Sequence, residues 1–250
     1  MSLQSLSSSG LSPAEVAARW QAVMAHLRAA GQRVGRAPDS VALLAVSKLQ
    51  PAAAIRAVHA AGQQAFGENY VQEAIDKMAE LTDLDLQWHL IGPLQSNKTR
   101  VVAEHFDWVH SVDRLKIAQR LSAQRPAGLA PLQICLQVNI DDEDSKSGCS
   151  LAELPALAEA VAALPGLRLR GLMVIPRPGN SAALHALAKT HADLLARLPA
   201  LAQQPFDTLS MGMSDDLDEA VAAGSTLVRI GTAIFGARAP QAPSQPSSDA

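Results

Sequence analysis

The chain has 250 residues, is 48% apolar and carries a formal net charge of −3. That suffices for one large core, either a single α/β barrel or two smaller domains, and it excludes a basic face for nucleic acid. No apolar run reaches the ~18 residues that a membrane span requires, and the opening MSLQSLSSSG lacks the basic and apolar regions of a secretory signal, so the expected location is cytoplasmic.

In chain order, residues 1–10 are Ser-rich and expected to be disordered. Ser12-Pro13-Ala14-Glu15 opens a helix, with Ser12 as N-cap, Pro13 at the first helical position and Glu15 closing a capping box. The pattern predicts that this helix runs to about Ala30 and stops at Gly31. Strand patterns follow at 42–48, 64–69, 87–92, 107–112, 132–140, 167–175, 207–214 and 226–236. Between them, helical spacing of apolar residues predicts helices at about 51–61, 70–81, 95–105, 113–124, 151–163, 181–198 and 215–223. Strands alternating with helices imply parallel pairing. Eight such units predict a single (β/α)8 TIM-type barrel over residues 11–238, with an extra N-terminal helix. The competing fold is a doubly wound open sheet, which the lack of G-x-G-x-x-G after the first strand weakens. Residues 239–250 form a Pro/Ser-rich tail, also expected to be disordered.

Cys135 in an apolar run and Cys149 in a polar loop are expected as free thiols in a reducing cytosol. His105 and His110 are separated by a helix-to-strand change and lack metal-ligand spacing, so no metal is expected.

In a barrel, chemistry gathers where strands end and βα loops begin. Lys48 ends the first strand, and it is one of only six lysines against fifteen arginines. A partly desolvated amine there is a nucleophile toward aldehydes and ketones, whereas a lysine that reaches water is an ordinary surface group. After the seventh strand comes SMGMSDD (210–216), in which Gly212 permits close backbone approach and Ser214 reads as N-cap of the next helix. Amides there favour a phosphate, although Asp215 and Asp216 would repel one. On the eighth strand, Gly231 and Thr232 offer amides and a hydroxyl, at a position where barrels often hold phosphate. Arg229, within an apolar run, requires an anion or another acceptor, a carboxylate partner inside the barrel being the plain alternative. An amine opposite a phosphate cradle suits a phosphorylated aldehyde: pyridoxal 5′-phosphate (PLP) or a sugar phosphate.

The segments AVSKLQP, FGENYVQEA, WHLIGPLQSNKT, QVNIDDEDSKSGC, GLMVIP, SMGMSDDLDEAV and LVRIGTAIFG cover residues 42–238 in order. In them the chain resembles the YggS/PROSC family of pyridoxal-phosphate homeostasis proteins, whose barrel is related to the N-terminal domain of alanine racemase. Val174 departs from the alanine usual in that family. The resemblance implies PLP as cofactor, held as a Schiff base on Lys48. It implies a phosphate held by Ser214, Gly231 and Thr232 with the backbone of Met211, Gly212 and Met213, and Arg229 near the pyridine nitrogen. Asn69 stands at a strand end, either to contact the cofactor or to cap a turn. His89 is read as either a cofactor contact or a satisfied polar residue at the mouth. Lys146, in the SKSG loop, either attracts anions or is solvated.

The related racemase takes a second base from a tyrosine in a further domain. Here the single tyrosine, Tyr70, starts a helix after the second strand, and only the low-complexity tail follows Gly236. The expected protein is therefore a PLP carrier in PLP homeostasis, monomeric rather than an obligate oligomer, with PLP-dependent apo-enzymes as candidate recipients. The alternatives are a single-domain amino-acid racemase, using water or His89 as second base, and a Schiff-base aldolase.

Overall fold

The computed structural model describes residues 10–141 and 147–237. The two terminal segments expected to be disordered lie almost wholly outside these residues, and so does Lys146. In chain order the elements are α1 (Pro13–Arg33), β1 (Ala42–Val46), α2 (Ala52–Ala60), β2 (Ala65–Glu68), α3 (Val71–Glu80) and β3 (Gln87–Leu90). A 3-10 turn (Ser96–Lys98) leads into α4 (Thr99–His105), β4 (Trp108–Val112), α5 (Leu115–Gln124), β5 (Leu132–Gln137), α6 (Leu154–Ala162) and β6 (Leu167–Met173). The chain continues through α7 (Ser181–Arg197), α8 (Pro199–Ala202), β7 (Thr208–Ser210), α9 (Leu217–Ala222), β8 (Leu227–Ile230) and α10 (Thr232–Phe235).

The eight strands pair in parallel in chain order, and β8 closes on β1. Ala45 lies opposite both Phe66 of β2 and Ile230 of β8, which rules out the open sheet. Alternate side chains point outward and inward along each strand. Leu43, Ala45, Phe66, Leu90, Val109, Val228 and Ile230 join the helices in one continuous core. Leu44 and Leu227 with Ile91 form a small separate cluster, and Trp108, Cys135 and Met173 form another. Together with buried polar side chains such as His89, His110, Ser210 and Arg229, these pack the barrel interior.

The capping box forms: the Glu15 carboxylate accepts the Ser12 N–H at 2.7 Å, and the Ser12 side chain accepts from Glu15 N–H. Gly31 does not stop α1, which runs two residues farther. The stop is Gly35, whose φ of +72° is open to glycine. Its N–H donates to Gln32 O (3.0 Å) and that of Arg36 to Gly31 O (2.9 Å), the paired bonds of a Schellman motif. α1 packs along α2, α9 and α10, burying Val16, Val23, Leu27 and Ala30. Since α10 has only four residues, α1 takes the place in the outer ring that a full eighth helix would fill.

Both cysteines are free and buried, and burial pushes each thiol up to about 12. Cys149 is not in a solvated loop: its N–H donates to Gln137 O and its carbonyl accepts from Asn139 N–H, both at 2.9 Å, which draws it against the end of β5. Among the described residues, no helix is long and apolar enough to cross a membrane. No group of three or more His, Cys, Asp or Glu side chains there could hold a metal.

Candidate functional site

Barrel closure brings the ends of β1 and β8 together, although nearly the whole chain separates them. Lys48 sits in a turn closed by Gln50 N–H donating to Ser47 O at 3.0 Å. It shares a small cavity of about 30 Å³ with Val46, Gln50, Gly231, Thr232 and Gly236. Lys48 is half-buried and Thr232 exposed. Gly231 is the N-cap of α10, so a turn of helix starts beside the lysine, where the sequence pattern predicted continued strand.

Gly212, at φ +99°, turns the chain after β7; a Cβ there would come within 2.5 Å of the Ala220 Cβ. Met211 is buried in the core, and its N–H donates to Leu227 O at 3.1 Å. Met213 is partly exposed, and its N–H donates to Asp216 Oδ1 at 2.6 Å. Asp216, not Ser214, is the N-cap residue of α9. Its carboxylate closes the turn onto Met213 and moves the helix start two residues on, leaving Ser214 exposed before it. Met213, Asp215, Asp216 and Glu219 border a second cavity of about 240 Å³, faced by Pro176, Arg177 and Asn180 from the loop after β6.

Asn69 follows β2 and is half-buried, and its Oδ1 has no hydrogen-bond partner. Gly92 lets it sit there, since a Cβ at that position would lie 2.2 Å from Asn69 O. An orphaned buried acceptor costs about 1–3 kcal/mol, a cost that a ligand donor would relieve.

Arg229 points into the barrel and is 4% exposed. Its acceptors are neutral: Ser210 O at 2.6 Å, Ser210 Oγ at 2.9 Å and Val174 O at 2.7 Å. The carboxylate partner that was the plain alternative is not among them. Position 174 contributes its carbonyl, a group that valine and alanine share. Burial lowers the guanidinium to about 10, which still leaves it charged at neutral pH.

From Ser210 a chain of hydrogen bonds crosses the interior. Ser210 Oγ lies 2.8 Å from His110 Nδ1, His110 Nε2 lies 2.9 Å from His89 Nδ1, and His89 Nε2 lies 3.0 Å from Gln87 Oε1. Arginine only donates. At the far end Gln87 Oε1 can only accept, so His89 Nε2–H donates to it, His110 Nε2–H donates to His89 Nδ1, and the Ser210 hydroxyl, which accepts from Arg229, donates to His110 Nδ1. Both imidazoles then carry their proton on Nε2. Burial drives both rings neutral: His89 falls from 6.5 to about 3, and His110 falls well below its ordinary value. His89 also stacks on Trp108, with centroids 5.1 Å apart. It is therefore an interior residue with both nitrogens engaged, not a group at the mouth.

The sequence pattern missed Ser210 as a partner of Arg229, and His110 as the next link beyond it. Their signal is polar residues at inward, alternate strand positions: Gln87 and His89, His110, Ser210 and Arg229. Two results are expected. Side-chain nitrogen NMR should find both histidines as neutral Nε2–H tautomers at pH 5. Since protons bind the unfolded rings more readily, stability should fall as pH drops from 6.5 toward 3, by up to about 1.4 kcal/mol per pH unit for His89. A flat acid limb, or Nδ1–H tautomers, would contradict this chain.

The family profile described as alanine racemase, N-terminal domain, matches residues 15–239. The pyridoxal phosphate homeostasis protein of Pseudomonas aeruginosa is 64% identical over 86% of this chain and 93% of its own length. That of Escherichia coli K12 is 57% identical over 85% and 92%. The chain belongs to the pyridoxal phosphate homeostasis protein family. Among solved structures, PipY of Synechococcus elongatus with PLP bound is 42% identical, with a TM-score of 0.76, covering 88% of this chain and all of that one. For this family member, the site residues suit such a cofactor. A primary amine, a hydroxyl and a glycine backbone meet at one cavity, and after β2 an amide side chain carries an unmet acceptor.

Proposed function

We propose that this protein binds PLP covalently through Lys48 and serves intracellular PLP homeostasis as a carrier, without efficient amino-acid chemistry. The observation that carries the reading is the Lys48 amine opening on the same cavity as Gly231 and Thr232, in a chain 42% identical to a protein solved with PLP. When bound, PLP supplies an electrophilic aldehyde and an electron-withdrawing ring. Lys48 provides the nucleophile. Thr232, Gly231 and Ser214, with the backbone of the turn at Met211, Gly212 and Met213, would hold the phosphate. Asn69 would orient the ring and Arg229 would serve its nitrogen. An always-charged arginine there would keep that nitrogen unprotonated, a weaker electron sink than one paired with a carboxylate.

The racemase alternative needs a second base. His89 is poorly suited: it is buried, neutral and hydrogen-bonded at both nitrogens. Each absent general base typically removes a factor of about 10²–10⁴ in rate. The carrier reading further proposes a cytoplasmic, monomeric protein with PLP-dependent apo-enzymes as recipients.

The test is the visible spectrum before and after borohydride, with peptide mapping of the reduced adduct. Alongside it, α-deuterium exchange of alanine is expected to be slow or absent, and PLP transfer to an apo-enzyme should outpace free release. Rapid exchange with inversion, lost in Lys48→Ala, would establish a racemase instead.

A further inference from the structure

The two peptide groups that flank Lys48 are held by one buried ion cluster, and we propose that Glu73 and Lys77 of this cluster position the Lys48 amine for its ligand. On one side, Ser47 O accepts from Lys77 Nζ at 2.7 Å, and Ser47 Oγ donates to Glu68 Oε1 at 2.6 Å. On the other, Leu49 N–H donates to Glu73 Oε1 at 2.5 Å. Lys77 joins the two sides, reaching Glu68 Oε1 at 2.8 Å and Glu73 Oε1 at 2.5 Å.

Leu49 gives the bracket its purpose. Its φ is +60°, the left-handed region that a side chain with a Cβ disfavours. A chain free to relax would leave that conformation and turn the neighbouring Lys48 side chain away from Gly231 and Thr232. The hydrogen bond that Leu49 N–H donates to the Glu73 carboxylate opposes this, and Lys77 holds Glu73 in place. Lys77 is itself unsuited to capture a ligand. Its ammonium has three donors, and Ser47 O, Glu68 and Glu73 take all three. In the sequence, Glu73 and Lys77 are an i,i+4 pair, a spacing ordinarily read as a solvated surface pair. Here Lys77 is 6% exposed.

This inference rests on the reading of Lys48 as the PLP-carrying lysine. Glu73→Ala is the preferred variant, since that side chain is 23% exposed, whereas removing Lys77 strands buried carboxylates. In the ligand-free protein, Glu73→Ala should speed hydrogen exchange at the Leu49 amide. Covalent capture of PLP at Lys48 should slow about tenfold to a hundredfold, as expected for a misplaced reacting group. Affinity for 4′-deoxypyridoxine 5′-phosphate, which has no aldehyde, should be unchanged. Glu73→Gln, whose amide oxygen still accepts from Leu49, should restore both exchange protection and capture. Wild-type capture in Glu73→Ala, or parallel loss of both ligands with a lowered melting temperature, would overturn the positioning role. Mapping of the wild-type adduct to another lysine would instead refute the PLP site, and the Leu49 exchange would still judge the bracket.

Discussion

Replacing Lys48 by alanine is expected to abolish covalent capture of PLP and the borohydride-fixed adduct. Imine formation needs an unprotonated amine within reach of the aldehyde. Among the described lysines, it is Lys48 that shares a cavity with Gly231 and Thr232, and Lys77 has spent its donors on its own cluster. Because surface lysines also react with PLP, the measurement uses substoichiometric cofactor and peptide mapping. An adduct on Lys98 or Lys146 would place the site elsewhere. Phosphate contacts do not require the amine, so Lys48→Ala should keep measurable affinity for 4′-deoxypyridoxine 5′-phosphate. This arm separates loss of the nucleophile from collapse of the pocket.

The second large effect is expected from the double variant Ser214→Ala and Thr232→Ala. A hydrogen bond to a charged group is worth about 1.5–3 kcal/mol. Losing two should weaken PLP binding roughly a hundred- to ten-thousand-fold. Pyridoxal, which lacks the phosphate, should be nearly unaffected. The single variants should divide unequally. Thr232 lies beside Lys48, whereas Ser214 stands exposed next to Asp215 and Asp216, whose charges oppose an anion. Thr232→Ala should therefore carry the larger share. Equal losses for PLP and pyridoxal would count against a phosphate site after β7 and β8.

Local patterns carry some parts of this protein well. The capping box at Ser12 and Glu15 needs only four consecutive residues, and it forms as the spacing predicts. The strand–helix alternation rests on short-range periodicity, and the order of parallel strands follows from it. Glycine positions are less legible, because Gly31 and Gly35 look alike in one dimension. Which of them adopts positive φ depends on what the helix end packs against. The start of α9 at Asp216 rather than Ser214 turns on one carboxylate reaching back to Met213, a choice that a row of three capping residues leaves open.

Lys48 and the glycine-hydroxyl pair at 231–232 were visible because strand ends in a barrel point to a common face. Their shared cavity is a product of closure, since β8 pairs with β1 across nearly the whole chain. The partners of Arg229 are likewise tertiary: Ser210 comes from the neighbouring β7 and Val174 from just beyond β6, and no local signal distinguishes their acceptors from an interior carboxylate. The same holds for Lys77. Helical spacing makes it an ordinary partner of Glu73, and only packing of α3 against β2 buries it and turns its ammonium onto Ser47. Sequence alone thus determined the eight strand–helix units, their order and which groups stand at strand ends, because each depends on a few neighbouring residues, but not α8 or α10. The tertiary structure decided which buried polar groups meet, because low-dielectric burial forces every donor and acceptor to find a partner, and that partner is chosen by three-dimensional proximity.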